Sequence, residues 1–458
     1  MAISSSTGSS DFVAVESGSQ KGYKSALTVI TTLFFIWGAL TSLNDVLIPF
    51  AQHVFKLQLA ASMLIQTAFF SAYFIFSFPA AKIIDWIGYK RAIIVGLATM
   101  IAACLLFYPS AKLPSFPFFL AALMVLAAGI TVLQVAANPY VAVLGRPETA
   151  SSRLNLTQAF NSLGTAVFPW IGAKLILGHT MNAASPAASQ DAVVKLYVYF
   201  FAILLALLAV FFALFKLPKI AGAEHHAGQK VDDSIWKHPN LIFGAIGIFI
   251  YVGAEVGIGS SISNFLALDN IGHFATNIAS PADRYHAALA IGATYISIYW
   301  LGAMIGRFIG SVVLQRVKTS VLLTLCSIVA AALVTTAVLT SGHFAMWCIL
   351  AVGLFNSIMF PCIFTSGIAE LGPLTGDGSG ILNMAIVGGA VVPWLIGKVA
   401  DIINTTWYPT MTEGSTSWGQ GLHYAIGLTI LCYLYILFYA VSGSKPNSER
   451  YGKPSSRA

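Results

Sequence analysis

Long apolar stretches separated by short polar patches fill the chain from about residue 25 to 442. A bilayer core of roughly 30 Å is crossed by about 20 apolar residues in a helix, and windows of that length predict twelve spans. They fall at 25–50, 61–84, 92–109, 116–143, 152–177, 193–216, 239–265, 286–313, 319–340, 343–370, 379–403 and 421–442. The runs are continuous, whereas a membrane β-barrel shows alternating segments of about ten residues. The pattern therefore predicts an all-α polytopic membrane protein. One interior stretch reads as a polar linker, residues 218–238, holding Glu224, His225, His226, Lys230, Asp232, Asp233 and Lys237. It divides the spans six and six: a tail over 1–24, a bundle over 25–217, a second bundle over 239–443 and a tail over 444–458.

Composition agrees: 57% of residues are hydrophobic and 9% charged, against about a quarter charged in a soluble domain. The net charge of +7 is topological. Lys90, Arg91, Arg146, Arg153, Lys216, Lys237, Arg316, Lys318 and Lys445 all fall on one side of the predicted membrane. The positive-inside rule makes that side the cytoplasm, with both termini there and the chain in a cell inner membrane. Nucleic acid is not implied, because no recognition motif accompanies the charge. The first 24 residues are rich in Ser and Gly and run straight into a span too long for a signal peptide, so no cleaved leader is expected.

The five cysteines lie inside apolar runs and form neither a disulfide framework nor a metal-ligand spacing. An enzyme would need a nucleophile and base or a metal cluster; His225 and His226 beside Glu224 read as a solvated loop. A channel would need rings of charges or carbonyls, and the acids here are scattered and single. A substrate sensor of the same fold would present the same binding residues as a carrier. No cofactor is expected beyond a co-transported proton or sodium ion, and the chain is expected to act as a monomer among lipids.

The halves echo each other. Gly164-x-Ala166-Val167-x-Pro169-Trp170 and Gly388-x-Ala390-Val391-x-Pro393-Trp394 share one pattern, 224 positions apart (164 to 388). They fall in spans five and eleven, equivalent places if six helices were duplicated, as in many carriers. Pro139, Pro169, Pro361 and Pro393 mark expected bends in spans four, five, ten and eleven.

Charges at membrane depth cost about 2.5 to 3.5 kcal/mol on the insertion scale and so face a cavity or a partner. Asp45 in span one and Glu255 in span seven qualify, again at equivalent places, and are the candidate cation-coupling acids. Arg307 in span eight is the candidate basic partner. Gln134 and Asn138 in span four, and Asn155, Gln158 and Asn161 in span five, are each spaced to share a helix face. Amides donate and accept, which suits a ligand rich in hydroxyls. Asn356 and Asn383 are the corresponding candidates in the second half. Trp37 and Tyr295, among the aromatics Phe69, Phe70, Tyr73, Phe160, Tyr299 and Trp300, offer flat apolar surface for a sugar ring.

The strings Phe34-Phe35-Ile36-Trp37, Leu43-Asn44-Asp45-Val46-Leu47-Ile48-Pro49, Ala136-Ala137-Asn138-Pro139-Tyr140-Val141 and Arg153-Leu154-Asn155-Leu156-Thr157-Gln158-Ala159-Phe160-Asn161-Ser162 resemble the fucose-proton symporter family of the major facilitator superfamily. Gln134 and Glu255 in their contexts resemble its glucose/galactose branch. The resemblance covers nearly the whole chain. It implies the major facilitator fold: twelve transmembrane helices in two six-helix bundles that rock about a central cavity. It implies Asp45 as a proton-coupling aspartate and Gln158 and Asn161 as sugar contacts. A degenerate loop motif, Asp85, Gly88, Lys90 and Arg91, resembles the superfamily's conformational latch, with Asp85 placed to face a helix amino terminus or a cation. Departures stand out: Gln134 replaces an acid of the fucose symporter, Glu255 replaces a glutamine, and Ser42 replaces an amide.

The expectation is a secondary active carrier for a neutral hexose, glucose or galactose first, worked by cation symport with the proton first. Sodium coupling, N-acetylglucosamine or fucose as substrate, a facilitator and a sensor remain compatible with the same residues.

Overall fold

The computed structural model describes residues 20–56, 64–112, 115–172, 174–175, 193–218, 233–278, 280–407 and 420–448, and among them no strand occurs. Ten helical stretches among the described residues are long and apolar enough to cross a bilayer. Twelve spans are reached because one stretch holds two of them and because span five, Ala150–Gly172, is a complete helix missing from the ten. Ser151, Ser152, Asn155, Gln158 and Asn161 take it below that apolarity.

Span one is Gln20–Phe55. Spans two and three are the arms of Leu64–Lys112, which turns at Gly88 (φ 77°, ψ 166°), a region open almost only to glycine. Span four is Phe116–Val143, and span six is a π segment, Lys195–Phe201, continued by Ala202–Leu214. In the second half, span seven is Pro239–Leu266, eight Pro281–Val313 and nine Thr319–Leu339. Span ten is broken into Gly342–Asn356 and Met359–Gly367. Eleven runs Thr375–Met384, a tight turn Ala385–Val387, then Gly388–Trp407. Twelve is Gln420–Ala425 and Leu428–Phe438. Most of the linker, 219–232, and the tail 1–19 lie outside the described residues, and His225 and His226 with them.

The repeated pattern of spans five and eleven has a physical job. A Cβ on Gly164 would overlap the Phe35 carbonyl of span one, and a Cβ on Gly388 would overlap the Phe249 carbonyl of span seven. Each motif glycine therefore sits where its span crosses an equivalent partner backbone to backbone, the close approach that small residues allow between membrane helices. The sequence repeat is thus a structural repeat of the five-on-one and eleven-on-seven crossings.

The prolines free carbonyls, since a proline has no N–H for the residue four back. Pro139 leaves the Val135 carbonyl open, and the Ser379 hydroxyl of the other half donates to it at 2.8 Å. Pro361 leaves the Ser357 carbonyl open, and Arg307 Nε donates to it at 3.2 Å. Arg153 caps the far end of span four, donating to the carbonyls of Val141 and Ala142, which as last-turn groups lack helical partners, and also to the Arg146 carbonyl in the following loop.

Candidate functional site

Hydrogen bonds joining the two halves gather toward the end of the bundle that carries Gly88, Arg146, Arg316 and His238, here the linker end. Ser151 bonds Thr319 (2.9 Å) and Thr365 (2.6 Å), and Ser152 donates to the Ser311 carbonyl at 2.5 Å. Lys82 joins Asp85 (3.2 Å) in its own half to Asp377 (2.8 Å) at the start of span eleven. Asp85 also lies against Gly376, in the first turn of Thr375–Met384, where a helix favours a negative charge. Arg91 is exposed and makes no ion pair among the described residues. Lys82 and Asp377 had not been singled out from the sequence. The signal was available: Asp377 stands 224 positions after Arg153, so the repeat places opposite charges at the matching starts of spans five and eleven.

Glu255 and Arg307 form an ion pair at 3.4 Å, both side chains only 11% exposed. Arg307 Nη1 donates to the Ser162 hydroxyl of span five, and Asn155 Nδ2 donates to the Arg307 carbonyl at 2.7 Å. The charge therefore sits on the seam between the halves. Span eight can lie this close because a Cβ on Gly310 would overlap Ile358 of span ten. Beside the pair, Asn356 Nδ2 donates to the Tyr299 hydroxyl (2.9 Å), which donates to the Glu255 carbonyl (3.2 Å). The Tyr251 ring is buried on the same span as Glu255 and within its electrostatic reach.

In the first half, Gln134 Nε2 donates to the Tyr73 hydroxyl at 2.8 Å, leaving its carbonyl oxygen without a partner among the described residues. Gln158 stands one turn before Ser162, and its amide bonds no described side chain while keeping 8% of its surface open. Asn161 Nδ2 donates to the Phe34 carbonyl at 3.1 Å and ties span five to span one. Trp37 is buried against Phe34, with ring centroids 4.0 Å apart. Asn138 is fully buried and neither amide atom has a partner among the described residues. Asn383 bonds back onto Ser379 at 2.9 Å. Tyr295 stacks on Phe274 at 5.5 Å, twelve residues and so about 18 Å along the helix from Arg307, and stands apart from the ion pair. The backbone of Asp45 lies in span one, while its side chain is outside the described residues.

Two six-span halves, meeting across a buried ion pair, amides and locally unwound helices, define a polytopic membrane transporter. The chain matches the Major Facilitator Superfamily over residues 29–393 and belongs to that family. It is 46% identical over 430 residues to a glucose/galactose transporter of Brucella abortus, covering 94% of this chain and 97% of that one. It is 30% identical over 410 residues to the L-fucose-proton symporter of Escherichia coli, covering 84% and 89%. A crystal structure of the facilitator-family transporter FucP in the outward conformation superposes with a TM-score of 0.78 at 28% identity, covering 93% of this chain and 100% of that one.

Proposed function

We propose that this protein takes up a neutral hexose, glucose or galactose, by proton symport with alternating access. The observation that carries the reading is a buried acid held by Arg307, which Ser162 bonds at the seam, with the amide of Gln158, bonded to no described side chain, one turn before Ser162 and the half-satisfied amide of Gln134 in the same half. The amides supply donors and acceptors for sugar hydroxyls without a charge, which fits an uncharged substrate. Glu255, together with Asp45 in the equivalent span of the first half, supplies a carboxylate that can take a proton in the cavity. The sugar named for the B. abortus relative and the proton named for the E. coli relative point the same way. In this reading the protein lies in the inner membrane with both termini in the cytoplasm, acts as a monomer and carries no resident cofactor. The linker end is then the cytoplasmic gate, and its bonds hold an outward-facing state closed below.

Symport would be concentrative. One charge crossing 100 mV is worth about 2.3 kcal/mol, enough for roughly fifty-fold enrichment of a neutral sugar. The test is uptake of radiolabelled glucose into proteoliposomes under an inward proton gradient and then under a sodium gradient, with galactose, fucose and N-acetylglucosamine as competitors. Accumulation under the proton gradient alone supports the reading. Accumulation under sodium alone moves the coupling ion, and gradient-independent equilibration makes the protein a facilitator.

A further inference from the structure

Arg307 has three partners that belong to three different elements. Nη2 reaches the Glu255 carboxylate of span seven, Nη1 donates to the Ser162 hydroxyl of span five in the other half, and Nε donates to the Ser357 carbonyl that Pro361 frees in span ten. Ser162 is itself buried and carries no charge. We infer that Ser162 is a positioning residue for ion coupling: holding the guanidinium from span five makes closure of the linker end depend on the charge of Glu255. The inference rests on the proton-coupling reading above.

The physical argument concerns a buried cation. While Glu255 is ionised, the guanidinium is compensated in place, and its bond to Ser162 ties span five to span eight. When Glu255 takes a proton, the cation is left buried without its counter-charge, which costs several kcal/mol unless it moves. A long arginine stem allows the head group to withdraw toward the linker-side water. That movement breaks the bonds to Ser162 and to the Ser357 carbonyl together, so spans five and eight lose their central tie. A charge change on one half thus becomes a loss of contact with the other.

Tyr251 is the described titratable group set against both members of the pair. Tyr251 on span seven, Tyr299 on eight and Tyr433 on twelve stand within electrostatic reach of Glu255. Span ten contributes Asn356 and the Ser357 carbonyl, and span eleven presents Val392 and Ile396 to span seven. The Asp45 side chain on span one is outside the described residues.

The test uses spin labels at Arg146→Cys and Arg316→Cys, both on exposed linker-end positions of opposite halves, in the full chain reconstituted in lipid. The native cysteines are buried. The ratio of long to short inter-label distance is followed from alkaline to acid pH. The parent is expected to open as pH falls, and Glu255→Gln is expected to be flat. Ser162→Ala, which removes one oxygen, should shrink the acid-to-alkaline change in that ratio by about tenfold, as loss of a hydrogen bond to a charged group implies. Ser162→Thr, which keeps the hydroxyl, should restore it. Asn155→Ala removes a neighbouring cross-half bond without touching the guanidinium, so it should shift the ratio equally at every pH. A full parental pH response in Ser162→Ala, or an equal loss in Asn155→Ala, would overturn the inference. A parent without any pH response would overturn the proton reading itself.

Discussion

The Ser379 hydroxyl donates to the Val135 carbonyl across the two halves at 2.8 Å, and that carbonyl is free because Pro139 cannot donate to it. A helix defect in span four is therefore an acceptor for span eleven. Ser379→Ala should leave a buried carbonyl unsatisfied and lower stability by about 1 to 3 kcal/mol. Pro139→Ala supplies the missing N–H, so the double variant should be less destabilised than the two single costs added. Thermal unfolding of the four proteins in one detergent measures the coupling; strict additivity would show that the bond contributes nothing.

The repeat glycines give a sharper contrast. Gly164→Ala and Gly388→Ala each place a methyl group on a partner carbonyl. Backbone cannot move aside as a side chain can, so each should cost at least about 1 to 3 kcal/mol and reduce folded yield. Gly397, further along span eleven, has open space where a Cβ would stand, with nothing within 4 Å, and Gly397→Ala should leave yield and melting temperature unchanged. Size-exclusion profiles of the three variants test this, and equal behaviour would refute the crossing argument.

Lys82 is bracketed by Asp85 and Asp377, but its side chain is 37% exposed. Solvent screening holds each such contact to roughly 1 kcal/mol or less, so the pair biases the gate rather than locking it. Lys82→Met should raise the rate at which a cysteine placed at Ser311 reacts with a thiol reagent, by a few fold at most. Exchanging the charges, Lys82→Asp with Asp377→Lys, should bring that rate only part of the way back, because Asp85 then faces a like charge. Full recovery would mean that Asp85 takes no part.

Much of this architecture was legible in the sequence because membrane spans announce themselves by unbroken apolarity, and because Glu255 and Arg307 are costly at depth wherever they stand. The unread parts have physical reasons. Span five is the weakest of the apolar windows, since its hydropathy is diluted by the residues that meet the other half. Ser162 and Ser357 were not singled out: a serine is common in membrane helices, and Ser357 acts through a backbone carbonyl whose freedom depends on a proline four residues later. Residue type marks Asn161 and Trp37 as ligand candidates but does not give the contacts they make, Asn161 to the Phe34 carbonyl of span one and Trp37 to the Phe34 ring. Periodicity gives the face of a helix but not which neighbour that face meets.

Outside the membrane, the Asp233 carboxylate lies 2.7 Å from His238 Nε2, just before span seven. Partial burial pushes the Asp233 carboxyl up, but the His238 ring, the Ser234 amide and Lys237 outweigh it and hold it below its ordinary value. A carboxyl depressed by folding contributes stability above its unfolded pKa, near 4, and loses it as pH falls through the lower folded value. His238 precedes Pro239 and its carbonyl accepts from the amides of Leu241 (3.1 Å) and Ile242 (3.2 Å), so the tie steadies the first turn of the span. With the Asp233 side chain 44% exposed, the effect is at most about 1 kcal/mol. Amide exchange in the peptide covering 239–242 should be up to about five-fold faster in Asp233→Asn than in the parent at neutral pH, and the two rates should converge below about pH 4. A ratio that stays constant as the solution is acidified would show that the carboxylate charge is not what holds the turn.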